Sequence, residues 1–203
     1  MATKSDIVSG MGLALSIITN LVGKVRKAGG TNKDIHRLAT PEGETTLEKM
    51  ADIIVGAKRQ TFKVLVDYTK SLEQMIKAGK YDLVNNDITS DHFHITGSGQ
   101  KEVEITLFHF NRGISSDGAI AEMKKAGYRP ALVEELLVLG AAEKELQKQF
   151  PIVALGSVCR SSPDGYRNMP CLSWAGGGRG LGLNLFGDGW PEDWRFSAVR
   201  NAS

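Results

Sequence analysis

Two short stretches decide the predicted fold: Gly127-Tyr-Arg-Pro-Ala-Leu-Val-Glu-Glu-Leu-Leu137 and Trp194-Arg-Phe-Ser-Ala-Val-Arg200. The first predicts a tight link at Tyr-Arg-Pro and then a helix over residues 131–149, because its leucines recur at helical spacing. In that helix the leucines face inward, and Glu134 and Glu135 face solvent. The second stretch alternates apolar and polar side chains, which predicts a short strand.

Outward from these stretches, the chain changes from a helical to an alternating period at about residue 61. Residues 62–68 predict a half-buried strand, and Ser71 caps a helix over residues 72–78. Two further strands, 92–95 and 102–110, are predicted to join through Gly97-Ser98-Gly99. The remaining predicted elements are a helix opening at Ser115 or Ser116, a buried strand over 152–155, and short strands at 171–172, 181–185 and 196–199.

The first sixty residues predict two helices, over residues 5–28 and 45–55. Apolar side chains on the first helix need cover, from the rest of the chain or from a second copy; they include Ile7, Met11, Leu15 and Ile18. We therefore expect a homo-oligomer formed through these helices. The sequence predicts an N-terminal helical segment, 1–60, and an α+β domain, 61–203.

Composition and charge exclude several partner classes. Hydrophobic residues make up 41% of the chain and the formal net charge is +2, too small to favour nucleic acid or an anionic membrane. The stretch from Ile7 to Val25 is too polar to span a bilayer and lacks the pattern of a secretory signal. Two cysteines do not make a disulfide framework. We expect a cytoplasmic protein.

Three histidines and two cysteines are the candidates for catalytic chemistry. His92 and His94 share one face of a predicted strand, and His109 lies on the next, so the three are able to hold a metal if they converge. Cys159 and Cys171 lack Cys-x-x-Cys spacing, which favours two reduced thiols over a redox pair or metal site. Structural roles are the favoured interpretation for all five, and we expect no metal and no cofactor.

The last third of the chain has the composition of a recognition surface. Eight of the 23 glycines lie between Gly165 and Gly189, and all three tryptophans lie in the last thirty residues. The run from Gly176 to Gly182 has phosphate-loop spacing, but no predicted helix follows to bind a phosphate. Exposed aromatics among Arg, Ser, Gly and Asp are typical of adaptable binding surfaces. The predicted ligand-binding residues are Ser161, Ser162, Asp164, Tyr166, Arg167, Trp174, Arg179, Asn184, Asp188, Trp190 and Asp193.

The two opening stretches resemble a known family. The first is similar to the turn into the second helix of the C-type-lectin-like domain shared by formylglycine-generating enzymes and the variable proteins of diversity-generating retroelements; Leu132 stands where that pattern often has a capping Thr. The second is similar to the family's closing strand. The resemblance covers about residues 103–201. It implies a small twisted antiparallel sheet with two flanking helices, preceded here by a helical and mixed segment.

Within this family the retroelement branch fits best. The resemblance implies that adenines near the 3′ end of the gene are replaced at random, so that template Asn codons come to encode Gly, Ser, Asp, Tyr and Arg. We expect a non-enzymatic protein with a diversified surface and a protein or other macromolecular ligand, in which Tyr166, Trp174 and Trp190 are aromatic anchors. Two alternatives stay open: an oxidase of the formylglycine-generating type, with Cys159 and Cys171 in one copper-binding cleft, and a metal-dependent enzyme using the histidines.

Overall fold

The computed structural model describes residues 4–56, 59–160, 165–187 and 189–201. The chain divides into two compact units, Met1–Lys58 and Arg59–Ser203. The first unit is helical, and the second combines helices with a mixed multi-stranded sheet. The predicted α+β class is therefore confirmed.

The first unit consists of helices α1 (Lys4–Lys27), α2 (Asn32–Arg37) and α3 (Glu44–Gly56), which confirms both predicted helices and adds a short one between them. Asp34 closes the start of α2, because its Oδ2 accepts a hydrogen bond from the backbone N–H of Thr31 at 2.8 Å. Among the residues of this unit whose burial is described, only a glycine is buried. The unit therefore has no hydrophobic core within the described part of one chain.

The second unit is built on one sheet with helices on both faces. Its helices are α4 (Leu72–Gly79), α5 (Ser116–Lys125) and α6 (Val133–Ala142). Its strands are β1 (Thr61–Asp67), β2 (Leu83–Val84), β3 (Gln100–Phe108), β4 (Tyr128–Pro130), β5 (Ile152–Val153), β6 (Asn168–Ala175), β7 (Gly178–Leu185) and β8 (Arg195–Arg200).

The strand order is β1-β3-β8-β5-β6-β7-β2, and β4 also pairs with β8. The β5–β8 and β2–β7 pairs are parallel, and the other pairs are antiparallel. Helices α4 and α6 pack on one face of the sheet, where Leu136 and Leu172 join one hydrophobic cluster. Helix α5 packs on the other face, where Met123 and Phe196 join a second cluster.

The Tyr-Arg-Pro segment is a strand and not a tight link. As β4 it pairs antiparallel with β8, with Tyr128 opposite Arg200. The two stretches on which the family resemblance depends are thus neighbours in the fold, although more than fifty residues separate them in sequence.

Helix α6 corrects the predicted exposure of Glu134 and Glu135, both of which are buried. Glu135 accepts hydrogen bonds from the Arg129 guanidinium at 2.9 and 2.6 Å and from the backbone N–H of Leu132 at 2.8 Å. The carboxylate therefore compensates its burial with a bidentate ion pair and a helix cap. It also raises the pKa of Arg129.

The start and end of α6 also differ from the prediction. The hydroxyl of Ser157 accepts a hydrogen bond from the backbone N–H of Val133 at 2.8 Å, so a residue distant in sequence supplies the cap that Leu132 cannot provide. The helix ends at Ala142 and not at residue 149, and a 3-10 turn, Leu146–Lys148, follows.

The predicted hairpin through Gly97-Ser98-Gly99 is wrong. Residues 92–95 form no strand, and β3 pairs instead with β1 over residues 100–106 and with β8 over residues 105–108. The segment is held instead by α6, because Glu134 accepts a hydrogen bond from the backbone N–H of Thr96 at 3.3 Å.

Among the described residues, no helix combines the length and apolar character that a membrane span requires.

Candidate functional site

The hairpin of β6 and β7 carries most of the predicted binding residues and has two unlike faces. Its strands pair over their whole length, with Cys171 opposite Gly182 and Leu172 opposite Leu181. Successive residues of a strand point to opposite faces. One face, which we call the helix face, packs against α4 and α6 and consists of Leu172, Arg179, Leu181 and Leu183. The other, the open face, carries Met169, Cys171 and Ser173 on β6 and Gly178, Gly180, Gly182 and Asn184 on β7; of these, Met169, Cys171 and Gly180 are buried.

Arg179 lies on the helix face and is only 7% exposed, which overturns its prediction as a surface residue that confers polar specificity. Its guanidinium donates hydrogen bonds to the carbonyls of Gly79 and Gly140 and lies 4.9 Å from the centroid of the Tyr81 ring. Burial raises the pKa of Tyr81. Arg179 therefore joins the hairpin to the ends of α4 and α6.

Trp190 is 2% exposed, so the prediction of an exposed aromatic anchor at this position is also wrong. Its indole Nε1 donates to the hydroxyl of Ser116 at 2.8 Å, and that hydroxyl donates to the carbonyl of Phe186 at 2.7 Å. The ring lies 4.6 Å from that of Trp194 and 5.8 Å from that of Phe196, centroid to centroid. Because its polar atom and its ring both have partners in the interior, Trp190 is part of the scaffold.

Along β7 the open face has small side chains, but the room for larger ones differs between positions. A Cβ atom added at Gly178 would lie 2.9 Å from Asp82, too close to fit without a shift. A Cβ atom added at Gly182 would meet only the Cys171 sulfur, at 3.6 Å, an ordinary van der Waals contact. One added at Gly180 would meet only atoms of Ser173, the nearest at 3.2 Å. Gly187 and Gly189, in the loop that follows β7, have no atom within 4 Å of an added Cβ.

Exposed polar and aromatic side chains border one end of the open face. Tyr166 is 58% exposed, and the Arg167 guanidinium lies 3.8 Å above the ring of Phe186. The backbone N–H of Phe186 donates to the carbonyl of Arg167 at 2.8 Å, which joins the segment before β6 to the segment after β7. Asn184 lies on the adjacent strand, opposite Met169. The fold therefore brings Tyr166, Arg167 and Asn184 to one end of the hairpin.

Trp174 lies at the opposite end of the hairpin and on the helix face. It is 43% exposed, and the Lys148 ammonium lies 5.0 Å from the centroid of its ring. Asp193 is exposed near the start of β8, and its carbonyl accepts a hydrogen bond from Arg195 at 2.8 Å. Trp174 is therefore exposed as predicted, but the structure does not bring it together with Asn184. Four other predicted residues lie outside the described residues: Ser161, Ser162, Asp164 and Asp188.

The histidines hold separate backbone segments. His92 Nδ1 is 2.8 Å from the carbonyl of Asp87, and His109 Nε2 is 2.8 Å from the carbonyl of Glu192. Within the part of the chain that the structure describes, no group of three His, Cys, Asp or Glu side chains is arranged to hold a metal.

The two cysteines are buried in different hydrophobic clusters. Cys159 belongs to the cluster under α4 and α6, and Cys171 to the cluster on the opposite face of the sheet. Burial raises the pKa of the Cys171 thiol to about 12, which keeps it protonated and unreactive near neutral pH. The structure therefore does not place the two sulfurs in one cleft.

The sequence contains a pattern that indicates the open face, but the predicted binding residues did not include it. Gly178, Gly180 and Gly182 recur at every second position, the period of one face of a strand. Ser173, opposite Gly180, completes that face. Composition alone predicts a glycine-rich recognition segment and does not show that these glycines share a face.

No family model, curated protein or solved structure matches this chain.

Proposed function

We propose that this protein is a non-enzymatic binding protein whose open face and adjacent loops form a diversified recognition surface for a macromolecular ligand. The observation that carries the proposal is the room at Gly182, Gly187 and Gly189. A Cβ atom fits at each of these positions, and we infer that residues there can change while the fold is kept.

A rigid floor beneath the variable positions supports this function. Strand β6 lies between β5 and β7, and the side chains that anchor it are buried, among them Met169 and Leu172. A surface that is ordered before binding loses little conformational entropy when a ligand arrives. Tyr166 supplies a rigid aromatic contact, and Arg167 and Asn184 supply hydrogen bonds.

We assign the second unit to the C-type-lectin-like fold as part of the same proposal. The antiparallel pairing of β4 with β8 supports the assignment, because it joins the two stretches that resemble the family. The flanking helices and the closing strand in the middle of the sheet are consistent with it. We also propose a cytoplasmic location, as expected of a chain whose two cysteines do not make a disulfide framework.

Sequencing the DNA that flanks the gene tests the diversification. We expect a reverse transcriptase and a near-copy of the 3′ end that differs only at adenines. Codons that differ should fall on open positions such as Tyr166, Gly182 and Asn184, and should spare the buried Leu181 and Trp190. Differences spread equally over open and buried codons, or no near-copy at all, would contradict the proposal.

A display library tests binding directly. The full chain is randomised at Tyr166, Arg167, Gly182, Asn184 and Gly187 and selected against purified lysozyme as a model protein target. We expect folded clones that bind lysozyme with different sequences at these positions. A matched library, randomised at exposed positions of β1 and β3 far from the open face, is the control. Equal enrichment from both libraries would show that the open face has no special role.

We further propose that the first unit self-associates. Met11 is 69% exposed, Leu15 67% and Ile18 54%, all on α1. Helices without buried apolar side chains are marginal in water, so association would supply the missing core. We expect the circular dichroism signal at 222 nm to fall on dilution, and Leu15→Asp with Ile18→Asp to lower it at every concentration. A signal independent of both dilution and these substitutions would refute self-association.

A further inference from the structure

Strand β1 forms one edge of the sheet and offers unpaired backbone groups. The backbone N–H of Leu107 donates to Gln60 and that of Tyr68 donates to Gly99, each at 2.9 Å. Even-numbered residues of β1 therefore bond to β3, because hydrogen-bonding direction alternates along an antiparallel strand. Lys63 and Leu65 consequently direct their N–H and C=O groups away from the sheet. The opposite edge, β2, is only two residues long and offers far less.

The edge of β1 carries an exposed leucine and lies beside an apolar groove, which is unusual for a strand edge that faces water. Leu65 is 58% exposed, and Lys63 and Asp67 lie on the same face of the strand. A groove of about 130 Å³ runs beside the strand between α4 and α6. It is lined largely by apolar side chains, including those of Met75, Ala78, Leu137, Val138 and Ala141.

We propose that the edge of β1 pairs antiparallel with the same edge of a second copy of this chain, with Leu65 opposite the partner's Leu65. In this register Lys63 lies opposite the partner's Asp67, and Asp67 opposite the partner's Lys63. The two sheets become continuous, and the apolar groove beside each β1 is covered by the other subunit. The pairing is isologous, as expected of a two-fold dimer.

Charge complementarity selects this register over its neighbours. A pairing centred on Lys63 opposes two lysines, and one centred on Val64 sets Lys63 against the partner's Leu65. Only the pairing centred on Leu65 joins two leucines and both opposite charges, and such cross-strand pairs stabilise sheets. A lysine on an edge strand often prevents pairing. Here Asp67, four residues further on, neutralises it in the partner.

A disulfide trap in the full chain tests the register. Hydrogen-bonded residues in an antiparallel pair have Cα atoms about 5.5 Å apart, within the range of a disulfide. We expect Leu65→Cys to form a covalent dimer on mild oxidation. Lys63→Cys is the matched control, because the Cα atoms of its two copies would lie roughly 14 Å apart in this register. Cys159 and Cys171 are buried and common to both variants. Equal cross-linking of the two variants, or none in Leu65→Cys, would overturn the proposal.

A charge exchange tests the same contact without a new cysteine. We expect Lys63→Asp to weaken dimerisation roughly tenfold in sedimentation equilibrium, since it opposes like charges at two symmetric places. Adding Asp67→Lys to that variant should restore the dimer. A double variant as weak as the single one, or a single variant that dimerises normally, would show that these residues do not face each other. The charge variants are made in the Leu15→Asp, Ile18→Asp background, so that association through α1 does not contribute to the measured dimerisation.

Discussion

The two faces of the β6–β7 hairpin share one backbone and one register but obey different constraints. On the helix face, Leu172, Arg179 and Leu181 are each at most 7% exposed and fixed by neighbours. On the open face, Gly182 and Asn184 are partly exposed, and a Cβ at Gly182 finds space. The difference indicates how one hairpin can hold its fold while the identity of its surface residues changes. The helix face supplies packing contacts, and the space at Gly182 is what the proposed recognition surface requires.

The largest expected effect comes from a truncation on the helix face. Leu181 is 1% exposed, in the cluster with Leu136, so Leu181→Ala should reduce the free energy of unfolding by about 2–5 kcal/mol. Its sequence neighbour gives the matched control: Gly182→Ala should change that free energy by less than about 0.5 kcal/mol. Urea unfolding of both variants measures the contrast. Equal losses would mean that the two faces do not differ.

Arg179 provides the next largest effect. Arg179→Met keeps most of the side-chain length but leaves the carbonyls of Gly79 and Gly140 without their donor, which should cost about 2–4 kcal/mol. Arg167→Met is the control, because Arg167 is exposed and its guanidinium lies over the ring of Phe186; its loss should stay below about 1 kcal/mol. Thermal and urea unfolding both report the difference. A similar loss of unfolding free energy in the two variants would indicate that Arg179 is exposed at the surface.

The pH dependence of stability tests the burial of Cys171, which lies on the open face opposite Gly182. Cys171 points toward the side of Gly182 but is buried, and its pKa is raised from near 9 to about 12. Below pH 9 the thiol is protonated in the folded and unfolded chains, so its contribution to stability is constant. Above pH 9 only the unfolded chain ionises, and the free energy of unfolding falls as the pH rises toward 12.

We therefore expect urea midpoints to decrease between about pH 8 and about pH 10.5, and the decrease to be smaller in Cys171→Ala. Tyr81, whose pKa burial also raises, contributes in the same direction, so Tyr81→Phe serves as the parallel variant. If Cys171→Ala keeps the whole decrease, the thiol is not buried as the structure indicates.

Local patterns predicted most elements of the fold, but long-range contacts decided where they failed. The alternation of β1 and the caps at Ser71 and Ser115 are local, and α4 and α5 begin where these caps indicate. The burial of Glu135 could not be predicted from the helical period, because it depends on the ion pair with Arg129, which lies on β4 before the helix. The cap from Ser157 likewise requires the tertiary fold.

Predictions for the candidate site succeeded and failed for the same reason. Composition identified the segment that carries the exposed Tyr166, Arg167 and Trp174. It could not distinguish Trp190 from them, because a buried and an exposed tryptophan look alike until the partners of the indole are known. The glycines at every second position of β7 contained further information, since glycines on one face and leucines on the other predict that the leucine face packs against the helices.

The smallest expected effect is the most informative about the open face. Gly182→Tyr adds a side chain of the kind that a diversified position would carry, and it should leave the free energy of unfolding within about 0.5 kcal/mol of the original. Gly156→Ala is the control, because its new Cβ would lie 2.6 Å from the carbonyl oxygen of Ala131 and 2.8 Å from that of Pro130. Backbone atoms cannot yield there as side chains do, so even this one carbon should destabilise the protein by about 1–3 kcal/mol. If the tyrosine at Gly182 costs as much as the alanine at Gly156, the open face is part of the core, and recognition must lie elsewhere on the molecule.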